Sequence, residues 1–209
     1  VFRTVIWDFD GTLVDTYPAI ARAVNLALAV FGASASLEQI VELSSISLDY
    51  CLREIAQQQG LPYDRLSAEF EQAYRTVIPE EQRPFPDVIE VCRAIQQRSG
   101  RNFIVTHRRR ASLDRLLVTH HMAAYFTDII AADDGFPRKP DPTALLHLIQ
   151  RHAIEPHSAI VIGDRELDIL AGQRAGLKTC LFRAAYPNLS PDLCIESYQE
   201  LLKLLASEA

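Results

Sequence analysis

Apolar and polar positions alternate along the chain in two distinct rhythms. Thr4 to Phe9 is a short β-rich run that ends in acids and Gly11, the pattern of a buried strand feeding a loop. From Pro18 to about Ile78 apolar residues recur every three or four positions. This predicts helices over Pro18–Phe31, Ser36–Leu43, Ser47–Gln59 and Tyr63–Val77. Pro18 falls where a first helical turn tolerates it, and Gly32 and Gly60 stand where C-terminal stops belong. After Pro79, Pro84 and Pro86 the two periods take turns. Helices are expected over Asp87–Arg98, Ser112–His121, Pro142–Arg151 and Glu166–Ala175. Strands are expected over Asn102–Thr106, Asp128–Ala131, Ala159–Ile162 and Thr179–Phe182, and a last surface helix over Glu196–Ala206.

Strands that alternate with helices imply a parallel sheet covered on both faces. The fold class expected is therefore α/β: a doubly wound, Rossmann-like core formed by residues 1–15 and 84–209, with an all-helical cap, residues 16–83, inserted after the first strand. In such sheets ligands bind beyond the carboxyl ends of the strands, near the point where strand order reverses. The residues following each expected strand are therefore informative. They are Asp8-Phe9-Asp10-Gly11-Thr12, then Thr106-His107, then Arg138-Lys139-Pro140 across a loop, then Gly163-Asp164 with Asp168 one helical turn on.

Composition narrows the partners. Of 209 residues, 48% are hydrophobic and 23% charged, which excludes disorder and a disulfide scaffold. Twenty-seven acids against 21 bases leave a net charge of −6, which argues against nucleic acid as the main partner. The four cysteines form no CxxC pair and sit in apolar or helical contexts, so buried free thiols in a reducing compartment are expected and zinc is not. The most apolar stretch, Ala19 to Phe31, is too short to span a bilayer, so no membrane is expected as a partner. The opening Val-Phe-Arg-Thr-Val-Ile-Trp lacks the layout of a signal peptide, and a cytoplasmic location follows as an expectation. Nothing in the sequence states an oligomeric order.

Local chemistry says more than the charge sum. Asp8 and Asp10 flank Phe9, and residues two apart on an extended chain point the same way. Paired carboxylates are costly unless a cation or a shared proton relieves them. Asp164 and Asp168 add further oxygen ligands of the kind that suits Mg²⁺. Thr106 and Lys139 bring a hydroxyl donor and a point positive charge, both suited to phosphate oxygens. Acids for a metal beside donors for phosphate point to phosphoryl transfer. Other polar groups carry simpler readings: Arg108-Arg109-Arg110 a solvated face ahead of a contact for an anionic substrate, His120-His121 a helix end, Ser44, Ser45 and Ser47 caps in a short turn or contacts to a small polar substrate, and Trp7 core.

These same residues resemble the four motifs of the haloacid dehalogenase superfamily. Asp8-Phe9-Asp10-Gly11-Thr12-Leu13, Thr106, Lys139 before Pro140, and Gly163-Asp164-x-x-x-Asp168 come in that family's order across essentially the whole chain. The helical block resembles its class I cap, and the chain looks like the phosphoglycolate phosphatase and β-phosphoglucomutase branch. The resemblance implies a Mg²⁺-dependent phosphatase for a small phosphorylated metabolite such as phosphoglycolate or a sugar phosphate. By the same resemblance Asp8 is the nucleophile and Asp10 the general acid and base. Mg²⁺ is held by Asp8, the Asp10 carbonyl and Asp164, with Asp168 orienting the metal's water shell or Lys139. Thr106 and Lys139 bind the phosphoryl group. Gly11 and the backbone near Phe9 and His107 complete the cradle. The cap would carry substrate choice. Two positions depart from the pattern: Arg138 replaces a frequent glycine, and His107-Arg108 replaces a small polar pair. A phosphosugar mutase is the alternative, disfavoured because Ser44 to Asp49 holds no base. A dehalogenase would lack the acid at Asp10, and a phosphonatase would need a cap lysine, of which Pro18 to Pro79 has none. A receiver-like phospho-aspartate signalling module uses a similar residue set but carries no helical insertion after its first strand.

Overall fold

The computed structural model describes residues 2–207. It divides into two compact units, one built from the chain up to Val14 and from Pro84 onward, the other from Asp15–Arg83. The first unit contains a six-stranded, wholly parallel sheet. Its strands are β1 (Thr4–Trp7), β4 (Arg101–Val105), β5 (Phe126–Ile130), β6 (Ala159–Gly163), β7 (Lys178–Phe182) and β8 (Leu193–Ile195), in the spatial order β5-β4-β1-β6-β7-β8. Strand order reverses around β1, so the crevice expected to bind ligands opens at the end of β1 between β4 and β6. Register brings the neighbours level: Trp7 pairs with Ile104 on one side and Ile162 on the other.

Side-chain alternation along the strands builds two apolar layers. Val5, Trp7, Ile104, Ile160 and Ile162 face helices α5 (Val88–Gln97), α6 (Arg110–Thr119) and α9 (Tyr198–Ser207). Ile6, Phe103, Val105 and Val161 face α7 (Thr143–His152) and α8 (Glu166–Arg174). Both faces of the sheet are therefore dry, which explains why its central strands read as apolar runs.

The second unit is a bundle of α1 (Tyr17–Ala29), α2 (Leu37–Ile46), α3 (Leu48–Gln59) and α4 (Tyr63–Arg75) around its own core of Val24, Leu28, Ile40, Ile55, Leu66 and Phe70. Ser36 and Ser47 cap α2 and α3 by accepting from the N–H groups of Gln39 and Tyr50, and Gly60 closes α3 in the left-handed conformation. The chain leaves the sheet unit at β2 (Val14–Asp15) and returns at β3 (Arg83–Pro84), and these two short strands pair. None of the described helices is long and apolar enough to cross a membrane.

Some expectations need correction. β2, β3 and β8 are additional strands, too short to show a period. Helix α6 begins at Arg110, two residues before the predicted start, because the Asp133 carboxylate accepts from its first N–H. Cys194 is exposed, unlike Cys51, Cys92 and Cys180, because it lies on the edge strand β8.

Candidate active site

The turn after β1 is set by hydrogen bonds of its own. The Phe9 carbonyl accepts from the N–H groups of Leu13 and Val14, and the Gly11 N–H donates to the Val14 carbonyl at 2.9 Å. Gly11 takes φ +75°, a conformation that a Cβ disfavours. Phe9 is buried in the core and anchors the turn. Behind it, Tyr198 of α9 stacks on Phe182, meets Trp7 edge-on, and donates its hydroxyl to the Thr12 carbonyl at 2.8 Å. Thr12 in turn donates from Oγ1 to Asp164 Oδ1 at 2.9 Å. Sequence reasoning did not single out Thr12 or Tyr198.

Asp8 lies directly beyond β1, 1% exposed, with its N–H bonded to the Ile162 carbonyl of β6. Lys139 Nζ sits 2.6 Å from Asp8 Oδ1, 2.5 Å from Asp168 Oδ1 and 2.9 Å from the Val105 carbonyl. One ammonium group thus joins the ends of β1 and β4 and the first turn of α8. Burial alone would push the Asp8 carboxyl up, but the charges of Lys139 and Arg165 outweigh it and hold Asp8 below the usual carboxylate range. Burial likewise works against the Lys139 ammonium, and the charges of Asp168 and Asp8 hold its pKa up. Asp168 is pushed the other way, up, by burial and by the nearby charge of Asp8. Asp168 approaches closely because Gly163 precedes it: a Cβ on Gly163 would stand 2.3 Å from the Asp168 Cβ.

Asp8, Asp164 and Asp168 each offer an oxygen within 4.8 Å of the others. A buried set of carboxylate oxygens can hold a hard divalent cation. The Asp10 carboxylate turns elsewhere. Its Oδ1 accepts from Arg108 Nη2 at 2.6 Å and Nε at 2.9 Å, and its Oδ2 from Nε at 3.2 Å. Arg108 is therefore no part of a solvated face. It is buried, with Nη1 on Ser112 Oγ at 2.7 Å, its N–H on Thr106 Oγ1 at 3.1 Å and its guanidinium over the Phe9 ring. Arg110 pairs with Asp134, and Arg109 is exposed. Thr106 closes β4, with its N–H on the Ile130 carbonyl.

His107 accepts through Nε2 from the Lys139 main-chain N–H at 2.9 Å, which ties the loop after β4 to the lysine loop. Its pKa is pushed down to about 3, by burial first and then by the charges of Lys139 and Arg138, so its ring is neutral. Thr106, His107, Phe136, Arg138 and Lys139 line a small pocket open to solvent. Sequence reasoning also missed Arg165, buried at the start of α8 with Nη2 3.2 Å from Asp8 Oδ2. The only sequence signal for Arg108 and Arg165 was position: each stands within two residues of a motif side chain.

A doubly wound sheet whose switch point carries a buried aspartate, a lysine clamp and a cluster of carboxylates defines a class of α/β hydrolases. The chain belongs to the haloacid dehalogenase-like hydrolases, whose family model matches residues 5–182. Among curated relatives, the phosphoglycolate phosphatase of Nitrosospira multiformis is 31% identical over 182 residues, covering 83% of this chain and 80% of its own length. The phosphoglycolate phosphatase of Aliivibrio fischeri is 26% identical, with 98% of this chain and 96% of the relative covered. Among solved structures, a HAD-superfamily hydrolase of subfamily IA, variant 1, from Geobacter sulfurreducens superposes with a TM-score of 0.76. It is 22% identical, with 98% of this chain and 96% of that one covered, a likeness of fold.

Proposed function

We propose that this chain is a Mg²⁺-dependent phosphatase that hydrolyses a small phosphate monoester, phosphoglycolate or a sugar phosphate, through an aspartyl-phosphate on Asp8. The observation that carries the reading is the state of Asp8: buried, held as a carboxylate, and fixed in direction by Lys139 at 2.6 Å. A carboxylate so held is an oriented nucleophile. Its attack forms an oxygen–phosphorus bond and breaks the bond to the leaving alkoxide, which takes a proton from Asp10. A water then attacks the same phosphorus, loses its proton to Asp10, and returns Asp8 to the carboxylate with release of phosphate. Lys139 neutralises the transferring oxygens and Thr106 hydrogen-bonds them, with main-chain N–H groups near Phe9, Gly11 and His107 completing the cradle.

Mg²⁺ would be held by Asp8, Asp164 and the Asp10 carbonyl, and it supplies neutralisation of the charge between nucleophile and substrate. Thr12 steadies Asp164 for that task, and Asp168 serves by fixing Lys139. The helical unit, inserted directly after the Asp8–Thr12 run, is assigned the choice of substrate. Full-length similarity to phosphoglycolate phosphatases supports a small anionic substrate.

The test is phosphate release from a panel of phosphate monoesters that includes phosphoglycolate and hexose phosphates. Turnover is expected with Mg²⁺, lost on chelation and restored by adding the metal back. Asp8→Asn is expected to lower kcat by about a thousandfold or more, the scale on which removing a covalent nucleophile acts. A parent chain that turns over no ester, or an Asp8→Asn chain as active as the parent, sinks the reading.

A further inference from the structure

The mechanism leaves the buried guanidinium of Arg165 unused. Arg165 follows Asp164 and caps α8, where its main-chain N–H donates to Asp168 Oδ2 at 3.2 Å. Its guanidinium is directed at the nucleophile: Nη2 lies 3.2 Å from Asp8 Oδ2, and Nε lies 3.7 Å from Asp168 Oδ2. The two oxygens of Asp8 are thus divided between two cations, Oδ1 on Lys139 and Oδ2 on Arg165. A divalent ion that draws an oxygen from Asp8 as well as from Asp164 is brought against one of these two cations. Lys139 is bound on three sides, by Asp8, Asp168 and the Val105 carbonyl. Arg165 reaches Asp8 Oδ2 at the longer distance of 3.2 Å, from the end of a side chain with four rotatable bonds.

We propose that Arg165 is a resident counter-cation of Asp8, and that a divalent ion binds by displacing the guanidinium from Asp8 Oδ2 while the Arg165 backbone stays in its cap. The inference rests on the metal-dependent reading above. Like charges repel strongly in a site with little water, so Arg165 and the ion exclude one another on Asp8 Oδ2. The apparent affinity for metal is then reduced by the fraction of time the guanidinium occupies that oxygen. Arg165 also gives the metal-free site a partner for a carboxylate that is 1% exposed, where an uncompensated buried charge would be costly.

The experiment is isothermal titration calorimetry of Mg²⁺ into the chelator-stripped chain, with activity not needed as a readout. Arg165→Gln, which keeps a polar side chain and the cap N–H but removes the charge, is expected to bind Mg²⁺ about tenfold more tightly than the parent, the gain from a site closed nine-tenths of the time. Arg165→Lys, which keeps the charge, is expected to stay within about threefold of the parent. A glutamine variant that binds with the parent's affinity or more weakly overturns the proposal and leaves the metal-dependent reading standing. If no chain binds Mg²⁺, the metal-dependent reading falls and this one with it. Should Arg165→Gln fail to fold, a crystal structure of the parent with Mg²⁺ decides. The guanidinium is expected to have left Asp8 Oδ2, and one still within hydrogen-bond distance of that oxygen overturns the proposal.

Discussion

His107 illustrates how one side chain ties stability to pH. In the unfolded chain a histidine titrates near ~6.5, whereas in the folded chain His107 is held down at about 3. Between those values the unfolded chain binds a proton that the folded chain refuses, so stability falls as pH drops through that window. His107→Gln removes the difference. Thermal unfolding followed from about pH 7 to about pH 5 is expected to show a smaller loss of Tm in the variant than in the parent. On the proposed mechanism, Arg108 bears on activity instead. It holds both oxygens of Asp10, so losing it frees the carboxylate to swing. Arg108→Met is expected to lower kcat by about tenfold to a hundredfold, the scale of general acid–base help and of a misplaced group. On the same reading the loss is larger for alkyl phosphates than for p-nitrophenyl phosphate, whose leaving group needs little protonation. Steady-state kinetics on the two substrates checks this. In sequence, Arg108 opens a run of three arginines and looks solvated. Its partner lies 98 residues away, and only the folded chain brings the two together.

Elements were more legible than contacts. Each long helix and each central strand was visible as a period of apolar residues, and their ends fell within about three residues of the predicted ones, because burial against the sheet imposes the pattern. The three-residue edge strand β8 and the paired β2 and β3 bury too little to impose one. The candidate site was legible as far as it rests on loops at strand ends: Asp8, Thr106, Lys139, Asp164 and Asp168 gather as the topology requires. Which acid each base would meet was not legible, since that depends on side-chain reach rather than spacing. The turn from β6 into α8 shows how tightly elements constrain the site. Gly163→Ala would press a methyl group onto Asp168, the acid that fixes Lys139. A loss of about 1–3 kcal/mol is expected in urea unfolding, the range for overpacking a dense site, together with a drop in kcat.

At the scale of the whole molecule, the two units have separate apolar cores. Trp7 is the single tryptophan and lies in the sheet unit, so its fluorescence reports on that unit alone. Leu28 is buried in the helical bundle, where Leu28→Ala should cost about 2–5 kcal/mol. In the variant, circular dichroism is expected to reach its urea midpoint before tryptophan fluorescence does. Coincident midpoints would show that the units unfold as one. A single hydroxyl then links the first and last elements of the sheet unit. Tyr198 holds the Thr12 carbonyl from 186 positions away, and Tyr198→Phe should cost about 1–2 kcal/mol in chemical denaturation by removing that bond. During synthesis the residue that supports the Asp8–Thr12 turn emerges 186 positions after Thr12. A nascent chain therefore carries Asp8 beside an unsupported turn through that whole interval, until α9 docks.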